Sequence, residues 1–126
     1  MLMSHEENLA RAVLARDHEQ VMLLSAEAMK EAGSDFMTVT DDKGIVVGRG
    51  HSKKWQDSVL NQETVVKALQ GTPSVAIVAG TVVPFTIRAS QPIMYEGKLV
   101  GTLSIGTSLV TPPYLDWLKQ MSGMDV

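Results

Sequence analysis

The stretch from Ala68 to Tyr95 contains a single charged residue, Arg88, and this feature limits how the chain can fold more than any other. The uncharged part before Arg88 has the length of a membrane span, but prolines, glycines and a glutamine interrupt it. The stretch therefore predicts β-strands rather than a transmembrane helix. A guanidinium in such a segment stays charged and needs an anion, which comes either from a distant Asp or Glu or from a ligand.

Two periodicities divide the chain. Between Ser4 and Ala32 there is neither glycine nor proline, which predicts one long helix over residues 5–32 that Gly33 ends. From Phe36 onward, apolar residues alternate in short runs separated by turn residues. The predicted strands are residues 36–40, 45–47, 74–79, 83–94 and 98–109, with a helix near 62–70 capped by Asn61 and a last helix from Thr111. This order predicts an α+β fold, a long N-terminal helix packed on an antiparallel sheet of about five strands.

Composition excludes several classes of protein. At 126 residues the chain is expected to form one domain. The formal net charge is −3 at pH 7, which offers no overall basic field for nucleic acid. The chain has no cysteine and only three histidines, so disulfides and zinc thiolates are excluded and a metal site is not expected. No nucleophile, phosphate-loop or metalloprotease motif occurs, so neither a cofactor nor enzymatic activity is predicted.

Arg88 lies on a predicted strand whose two faces differ. With a three-residue loop, Tyr95–Gly97, the hairpin register pairs Arg88 with Ser104 and Thr86 with Gly106. This register gathers short hydroxyl side chains around one arginine, whereas solvated sheet faces usually carry several lysines and glutamates. The pattern is typical of a lined cavity, and an ordinary solvated sheet face is the alternative.

A second cationic cluster, Arg49–Trp55, holds four basic side chains and a tryptophan. In an extended segment Arg49 and His51 point to the same side, and a guanidinium there offers bidentate bonds to a carboxylate. The two residues are therefore candidates for the rim of an anion site, and Trp55 is a candidate for its wall. The alternative is a solvated basic loop in which Trp55 only packs.

Three fragments of the sequence together resemble a known family. The string G-T-x-x-x-x-x-x-R-A-x-x-P-I-x-x-x-G-x-x-V-G-x-x-x-x-G runs from Gly80 to Gly106, V-T-D-x-x-G occupies Val39–Gly44, and R-x-H occupies Arg49–His51. In this order and spacing they resemble the extracytoplasmic PAS-like sensor domains called Cache domains, which occur in bacterial chemoreceptors and sensor histidine kinases. The resemblance covers about residues 36–110. The R-x-H fragment resembles chemoreceptor domains more than the citrate and C4-dicarboxylate sensors.

The resemblance implies a domain organisation and a location. Residues 1–33 are then a stalk helix that continues from a membrane span, residues 36–110 the sensor core, and residues 111–126 a helix toward a second span. The domain is expected outside the cytoplasm, in the periplasm, as part of a membrane-anchored parent protein. The N-terminal helix is expected to form a homodimer.

The resemblance also implies roles for individual residues. The arginine matched by Arg88 holds a ligand carboxylate, the position of Ser104 contributes a hydroxyl, and Thr38 faces the pocket. The segment matched by Thr81, Val82 and Val83 approaches the ligand through its backbone.

The resulting hypothesis is a sensor of a small organic anion, a short-chain mono- or dicarboxylate. Arg88 and either Arg49 or His51 hold the carboxylate, and Ser104 and Thr86 complete the site. Two alternatives remain open. One is a ligand-free dimerisation and signal-relay module, and the other is a cytosolic PAS-like domain that holds haem or another cofactor through His51.

Overall fold

A computed structural model describes residues 5–79 and 85–108 of the chain. The described helices are α1 (His5–Leu14), α2 (His18–Ala32) and α3 (Glu63–Leu69). The described strands are β1 (Phe36–Asp41), β2 (Val46–Arg49), β3 (Ser74–Ala79), β4 (Phe85–Tyr95) and β5 (Lys98–Ser108). The predicted last helix from Thr111 lies outside these residues. The predicted α+β class with a five-stranded antiparallel sheet is confirmed.

The sheet has the strand order β2-β1-β5-β4-β3, and every neighbouring pair is antiparallel. The chain enters at β1, makes a hairpin to the edge strand β2, and crosses by way of α3 to the other edge. It then returns through β4 to β5, which pairs with β1 in the middle. Strand β5 therefore brings side chains of β1 and β4 into one lateral row, although these two strands are far apart in sequence.

Each face of the sheet is covered by different elements. Helices α1 and α2 bury one face through a cluster of alanines and valines that includes Val21, Val39 and Val47. Gly48 allows this close approach, because a Cβ there would lie 2.8 Å from the side chain of Val21. Helix α3 covers the opposite face through a smaller cluster, Val46, Val59 and Val65. The polar face predicted around Arg88 lies on the side of α3, where Ser90 donates a hydrogen bond to Thr64 of that helix.

The prediction of one uninterrupted N-terminal helix is wrong. Helix α1 ends at Leu14, and two residues later Arg16 adopts a left-handed conformation with φ of 53°. The amide of Asp17 donates to Ala12 O and that of Arg16 donates to Val13 O, which are the bonds of a Schellman motif. Asp17 then caps α2 by accepting a hydrogen bond from the amide of Gln20 at 3.2 Å. The break needs neither glycine nor proline, which is why the absence of both did not reveal it.

The predicted hairpin loop is also wrong, although the predicted faces are correct. The loop has two residues, Glu96 and Gly97, with φ of 51° and 77°, so Tyr95 pairs with Lys98. The register shifts by one residue between Ile93 and Met94, opposite the extra residue Val100 of β5. This bulge corrects the mismatch that a two-residue loop alone would create. Arg88 consequently lies opposite Gly106, Thr86 opposite Ser108, and Ser90 opposite Ser104.

The short helix after the central loop differs from its prediction in its cap. Helix α3 begins after Gln62 rather than Asn61, and the Gln62 side chain makes no capping hydrogen bond. Within residues 5–79 and 85–108, no helix combines the length and apolar character that a bilayer crossing requires.

Candidate functional site

A cleft of about 400 Å³ opens on the α3 side of the sheet. Five of the residues predicted from the sequence line it: Thr38, Arg49, His51, Arg88 and Ser104. Three further lining residues were not predicted: Asp35, Phe36 and Gln62. Because β5 lies between β1 and β4, Thr38 pairs with Ser104, and Phe36 pairs with the glycine that faces Arg88. Strand pairing thus brings together residues that are more than fifty positions apart in sequence.

Arg88 lies beside an aromatic ring. Its guanidinium carbon is 5.6 Å from the centroid of the Phe36 ring, within cation–π range. Phe36 lies across Gly106, where a Cβ would collide with the ring. Among the described residues no carboxylate forms an ion pair with Arg88. The guanidinium therefore enters the cleft with a ring at one side and with donors for an anion.

Arg49 has a carboxylate partner within the protein. Its two terminal nitrogens donate to Asp57 at 2.7 and 2.8 Å, and one of them also donates to Lys54 O at 3.0 Å. The hydrogen bonds and charge of Arg49 lower the pKa of Asp57 to about 2. The sequence hypothesis gave Arg49 a ligand carboxylate, but the structure gives it a loop carboxylate. Arg49 thus fixes the loop after β2 and contributes a neutralised charge to the rim.

His51 contributes a neutral ring to the cleft. Burial, and after it the charge of Arg49, lowers the pKa of His51. Its Nδ1 accepts a hydrogen bond from the amide of Met37 at 3.2 Å, which leaves Nε2 to carry the proton. The ring also meets the edge of Phe36, with centroids 5.9 Å apart. His51 is therefore a donor through Nε2, and charging it would break its bond to Met37.

A row of buried hydroxyl groups forms the floor next to Ser104. Ser90 Oγ lies 2.6 Å from Ser104 Oγ and donates to Thr64 Oγ1 of α3 at 2.9 Å. A second pair, Thr40 and Thr102, is 2.6 Å apart one step further from the cleft. The bonds among Thr64, Ser90 and Ser104 connect helix α3 to strands β4 and β5. Ser104, although only 2% exposed, is the member of the row that lines the cleft.

The remaining predicted site residues lie elsewhere. Trp55 stacks on His18 of α2 with ring centroids 4.2 Å apart, so it packs the loop on a helix and is not part of the cleft lining. Thr86 lies on the strand of Arg88, two residues before it, but does not line the cleft either. Thr81, Val82 and Val83 lie outside the described residues.

The unpredicted lining residues differ in how well the sequence could have revealed them. Phe36 belongs to a predicted strand, but its position over Gly106 depends on strand order, which the sequence does not reveal. Asp35 directly precedes β1, and its amide donates to Gly106 O at 2.8 Å. Gln62 precedes α3. Neither Asp35 nor Gln62 carries a local sequence signal for a binding site.

A second cleft, of about 370 Å³, lies on the opposite face of the sheet. Its apolar lining includes Val75, Ala89, Leu103 and Ile105, and Val75 is 71% exposed. No charged side chain is among its described lining residues. Of these two clefts, the one on the α3 side contains the cationic side chains Arg49 and Arg88. Within the described part of the chain, no three His, Asp or Glu side chains converge in a geometry suited to a metal ion.

Solved structures of sensor domains share this fold. The sensor domain of the V. cholerae histidine kinase DctB matches with a TM-score of 0.71 and 13% identity, covering 84% of this chain and 45% of that domain. The E. coli DcuS sensor domain matches with a TM-score of 0.62 and 21% identity, covering 95% of this chain and 98% of that domain. The ligand-binding domain of the Campylobacter jejuni chemoreceptor Tlp3, solved with 4-methylisoleucine, matches with a TM-score of 0.66 and 17% identity.

The lengths of these matches differ. The Tlp3 match covers 82% of this chain and 47% of that domain. The chain therefore spans about half the length of the DctB and Tlp3 domains, but nearly the full length of the DcuS sensor domain. A search of the curated proteins by sequence found no match. The family dCache_3, described as a double sensory domain of two-component sensor kinases, matches residues 1–126. The predicted relationship to Cache sensor domains is thereby confirmed, and the chain belongs to the dCache_3 family of sensory domains.

Proposed function

We propose that this chain binds a small organic anion, a short-chain mono- or dicarboxylate, in the cleft on the α3 side of its sheet. The observation that supports this most directly is Arg88, which lines the cleft and forms no ion pair with any described carboxylate. A guanidinium offers planar, paired donors that match a carboxylate. The cleft volume of about 400 Å³ lies in the usual range of small-molecule sites.

The other residues that line the cleft contribute to the site in different ways. His51 donates through Nε2, and its neutral state leaves Arg88 as the main positive charge for the ligand. Arg49 shapes the rim but is already bound to Asp57. Two charge-assisted bonds of about 1.5–3 kcal/mol each together give about 3–6 kcal/mol, which corresponds to dissociation constants from roughly tens of micromolar to several millimolar. The Tlp3 domain, solved with isoleucine and valine, is a relative of the same fold whose ligands carry a carboxylate.

Within this proposal the chain is the extracytoplasmic, periplasmic sensing module of a transmembrane kinase or chemoreceptor. Residues 1–33 connect to one membrane span and form a homodimer, and residues 111–126 lead toward a second span. Helices α1 and α2 and strand β5 are the elements through which a bound anion then acts on the membrane spans. Binding shifts the balance between two arrangements of these elements only as far as the anion prefers one of them.

Calorimetric titration of the purified domain with acetate, propionate, succinate and malate tests the proposal. We expect at least one acid to bind, and Arg88→Ala to weaken its binding by tenfold or more because the principal cation is lost. Lys67→Ala is the matched control, since it also deletes one positive charge but from an exposed pair with Glu63 on α3. An absence of binding by every acid, or equal weakening by both variants, would contradict the proposed site.

A further inference from the structure

The second cleft belongs to a wider apolar surface on the face of the sheet that carries α1 and α2. Strand pairing places Val75 beside Ala89 and Ala89 beside Ile105, and it places Ile77 beside Ile87. Val75 is 71% exposed and Ile77 is 38% exposed, so α1 and α2 cover the β1 side of this face but not its β3 edge. A solvated strand face usually carries polar side chains, whereas these five are all apolar. An exposed apolar surface of this kind is typical of a contact site for another element.

The sequence that follows β5 has the pattern of an amphipathic helix. Residues 109–126 lie after the end of β5 and outside the described residues. Pro112 and Pro113 suit a helix start, and apolar residues after them recur at positions i, i+3, i+4 and i+7. These four residues are Tyr114, Trp117, Leu118 and Met121. The polar residues Asp116, Lys119 and Gln120 fall on the other side of such a helix.

The length and position of this segment match the open surface. A chain that reverses direction after Ser108 returns along β5 from Thr107 toward Leu103, a distance of about 13 Å at roughly 3.3 Å per residue. A helix of residues 113–122 would be about 15 Å long at roughly 1.5 Å per residue, and residues 109–112 are left for the reversal. Leu103 already packs with the cluster under α1, so the open surface ends there. The apolar side of the helix is uncharged, as is the described lining of the second cleft.

We propose that residues 113–122 form a helix that packs on the face of Val75, Ile77 and Ala89 and covers the second cleft. An apolar sheet face is stable when another layer buries it, and this helix extends the layer that α1 and α2 begin. Because the segment is tethered at Ser108, its effective concentration at this face is high, which favours it over a second copy of the chain. The proposal does not rest on the anion site, since the sheet separates the two clefts. The docked helix contacts the back of β4, the strand whose other face carries Arg88.

Tryptophan fluorescence tests the proposal in the full chain. The chain has two tryptophans, so Trp55→Phe leaves Trp117 as the only one. We expect acrylamide to quench Trp117 several-fold less in the folded protein than in urea, because the docked indole is shielded from solvent. Val75→Asp adds a charge to the apolar surface and should restore most of the quenching. Leu23→Asp is the matched control, since Leu23 is also apolar and 61% exposed but lies on α2. Equal quenching in the folded and unfolded protein, or equal effects of the two aspartates, overturns the proposal.

Cysteine pairs test the position of the helix without altering the charge of the surface. The chain has no cysteine, so an introduced pair has no background. Under mild oxidation, Val75→Cys combined with Leu118→Cys or with Met121→Cys should form a disulfide within one chain. Lys67→Cys with Leu118→Cys should not, because Lys67 lies on α3 at the opposite face of the sheet. Disulfides only between chains show that a second copy covers the face, and they overturn the proposal. The absence of an intrachain disulfide in both test pairs also overturns it, and this result stands even if Val75→Asp does not fold.

Discussion

The two arginines of the cleft have different electrostatic environments. Arg49 is 12% exposed at its side chain and is held by both oxygens of Asp57, whereas Arg88 lies against the Phe36 ring. The residue types alone made both arginines candidates for a ligand carboxylate. Their difference depends on a loop carboxylate eight positions after Arg49, and no periodicity predicts where a loop directs such a side chain. The sequence therefore identified the cations of the site but not which of them was already neutralised.

The pair between Arg49 and Asp57 should contribute measurably to stability. In a double-mutant cycle with Arg49→Ala and Asp57→Ala, we expect a coupling free energy of about 1–2 kcal/mol, because the two charge-assisted bonds are only partly exposed. Urea denaturation of the four proteins measures it. The pKa of Asp57 is lowered to about 2, so this stabilisation is complete above the ordinary value of 3.8 and is lost as the pH falls toward 2. Strict additivity of the two substitutions at pH 7 would contradict the expectation.

Gly106 should tolerate no side chain. A Cβ at this position collides with the Phe36 ring, so Gly106→Ala must displace the ring from its place beside Arg88. We expect a loss of roughly 1–3 kcal/mol in the free energy of unfolding, together with weaker anion binding. Gly97→Ala in the hairpin loop is the comparison, since the added Cβ meets no atom there and only the positive φ is unfavourable. Anion binding that changes in Gly97→Ala and not in Gly106→Ala would refute this role of the ring.

At the level of secondary structure, two features differ from what the sequence pattern predicted: the break between α1 and α2, and the hairpin between β4 and β5. The break between α1 and α2 uses a left-handed Arg16 followed by the capping Asp17. The β4–β5 hairpin uses a two-residue loop with a bulge at Val100 instead of a longer loop. The bulge keeps the polar residues of β4 and β5 together on one face of the sheet. Side-chain periodicity therefore predicted the faces of β4 and β5 correctly, while the turn and the bulge that align these faces could not be predicted from it.

The left-handed Arg16 gives a test at this scale. A non-glycine residue in this conformation costs about 1 kcal/mol, and glycine avoids that cost. Arg16 also donates to Asp41 at 2.7 Å, but its side chain is 59% exposed, so the pair contributes little. We expect Arg16→Gly to be more stable than Arg16→Ala by about 1 kcal/mol, since both lose the pair and only alanine keeps the strain. Thermal unfolding of the two variants measures this, and a less stable glycine variant would argue against a break at Arg16.

For the whole molecule, the sheet separates an apolar layer from a layer that combines a smaller apolar cluster with the polar cleft. Helices α1 and α2 cover the face of Val39 and Val47, while the face of Thr38, Ser104 and Arg88 lies under α3. Strand alternation predicted which residues share a face, because that depends only on local geometry. It could not predict that β5 lies between β1 and β4, since strand order is set by the packing of the whole chain. The lateral neighbours that make the site, Phe36 beside Gly106 and Thr38 beside Ser104, follow from that order.

The stability of the whole domain should fall in two steps as the medium is acidified. Burial and the charge of Arg49 lower the pKa of His51 below its ordinary 6.5, so protonation favours the unfolded chain. Its contribution is complete above pH 6.5 and is lost as the pH falls through the lower folded value. Burial would raise the pKa of Asp41, but the amides of Lys43 and Ile45 and the charge of Arg16 outweigh it and lower the pKa. Asp41 and Asp57 therefore contribute above pH 3.8 and lose their contributions below it.

Melting temperatures measured between pH 8 and pH 2 separate the two steps. His51→Gln removes a titrating group from the cleft that also contains Asp35, Arg49 and Arg88, so it should flatten the step below pH 6.5 and leave the acidic step unchanged. Asp57→Asn should make the acidic step smaller and leave the step below pH 6.5 in place, because it removes a group with a pKa of about 2 while Asp41 still titrates. If the His51 variant still loses stability between pH 7 and pH 5 as the unmodified protein does, the buried neutral ring is not the source of the first step. An imidazolium carries hydrogens on both ring nitrogens, so protonation of His51 must break the hydrogen bond from the amide of Met37 to Nδ1, and this loss is the physical reason for the first step.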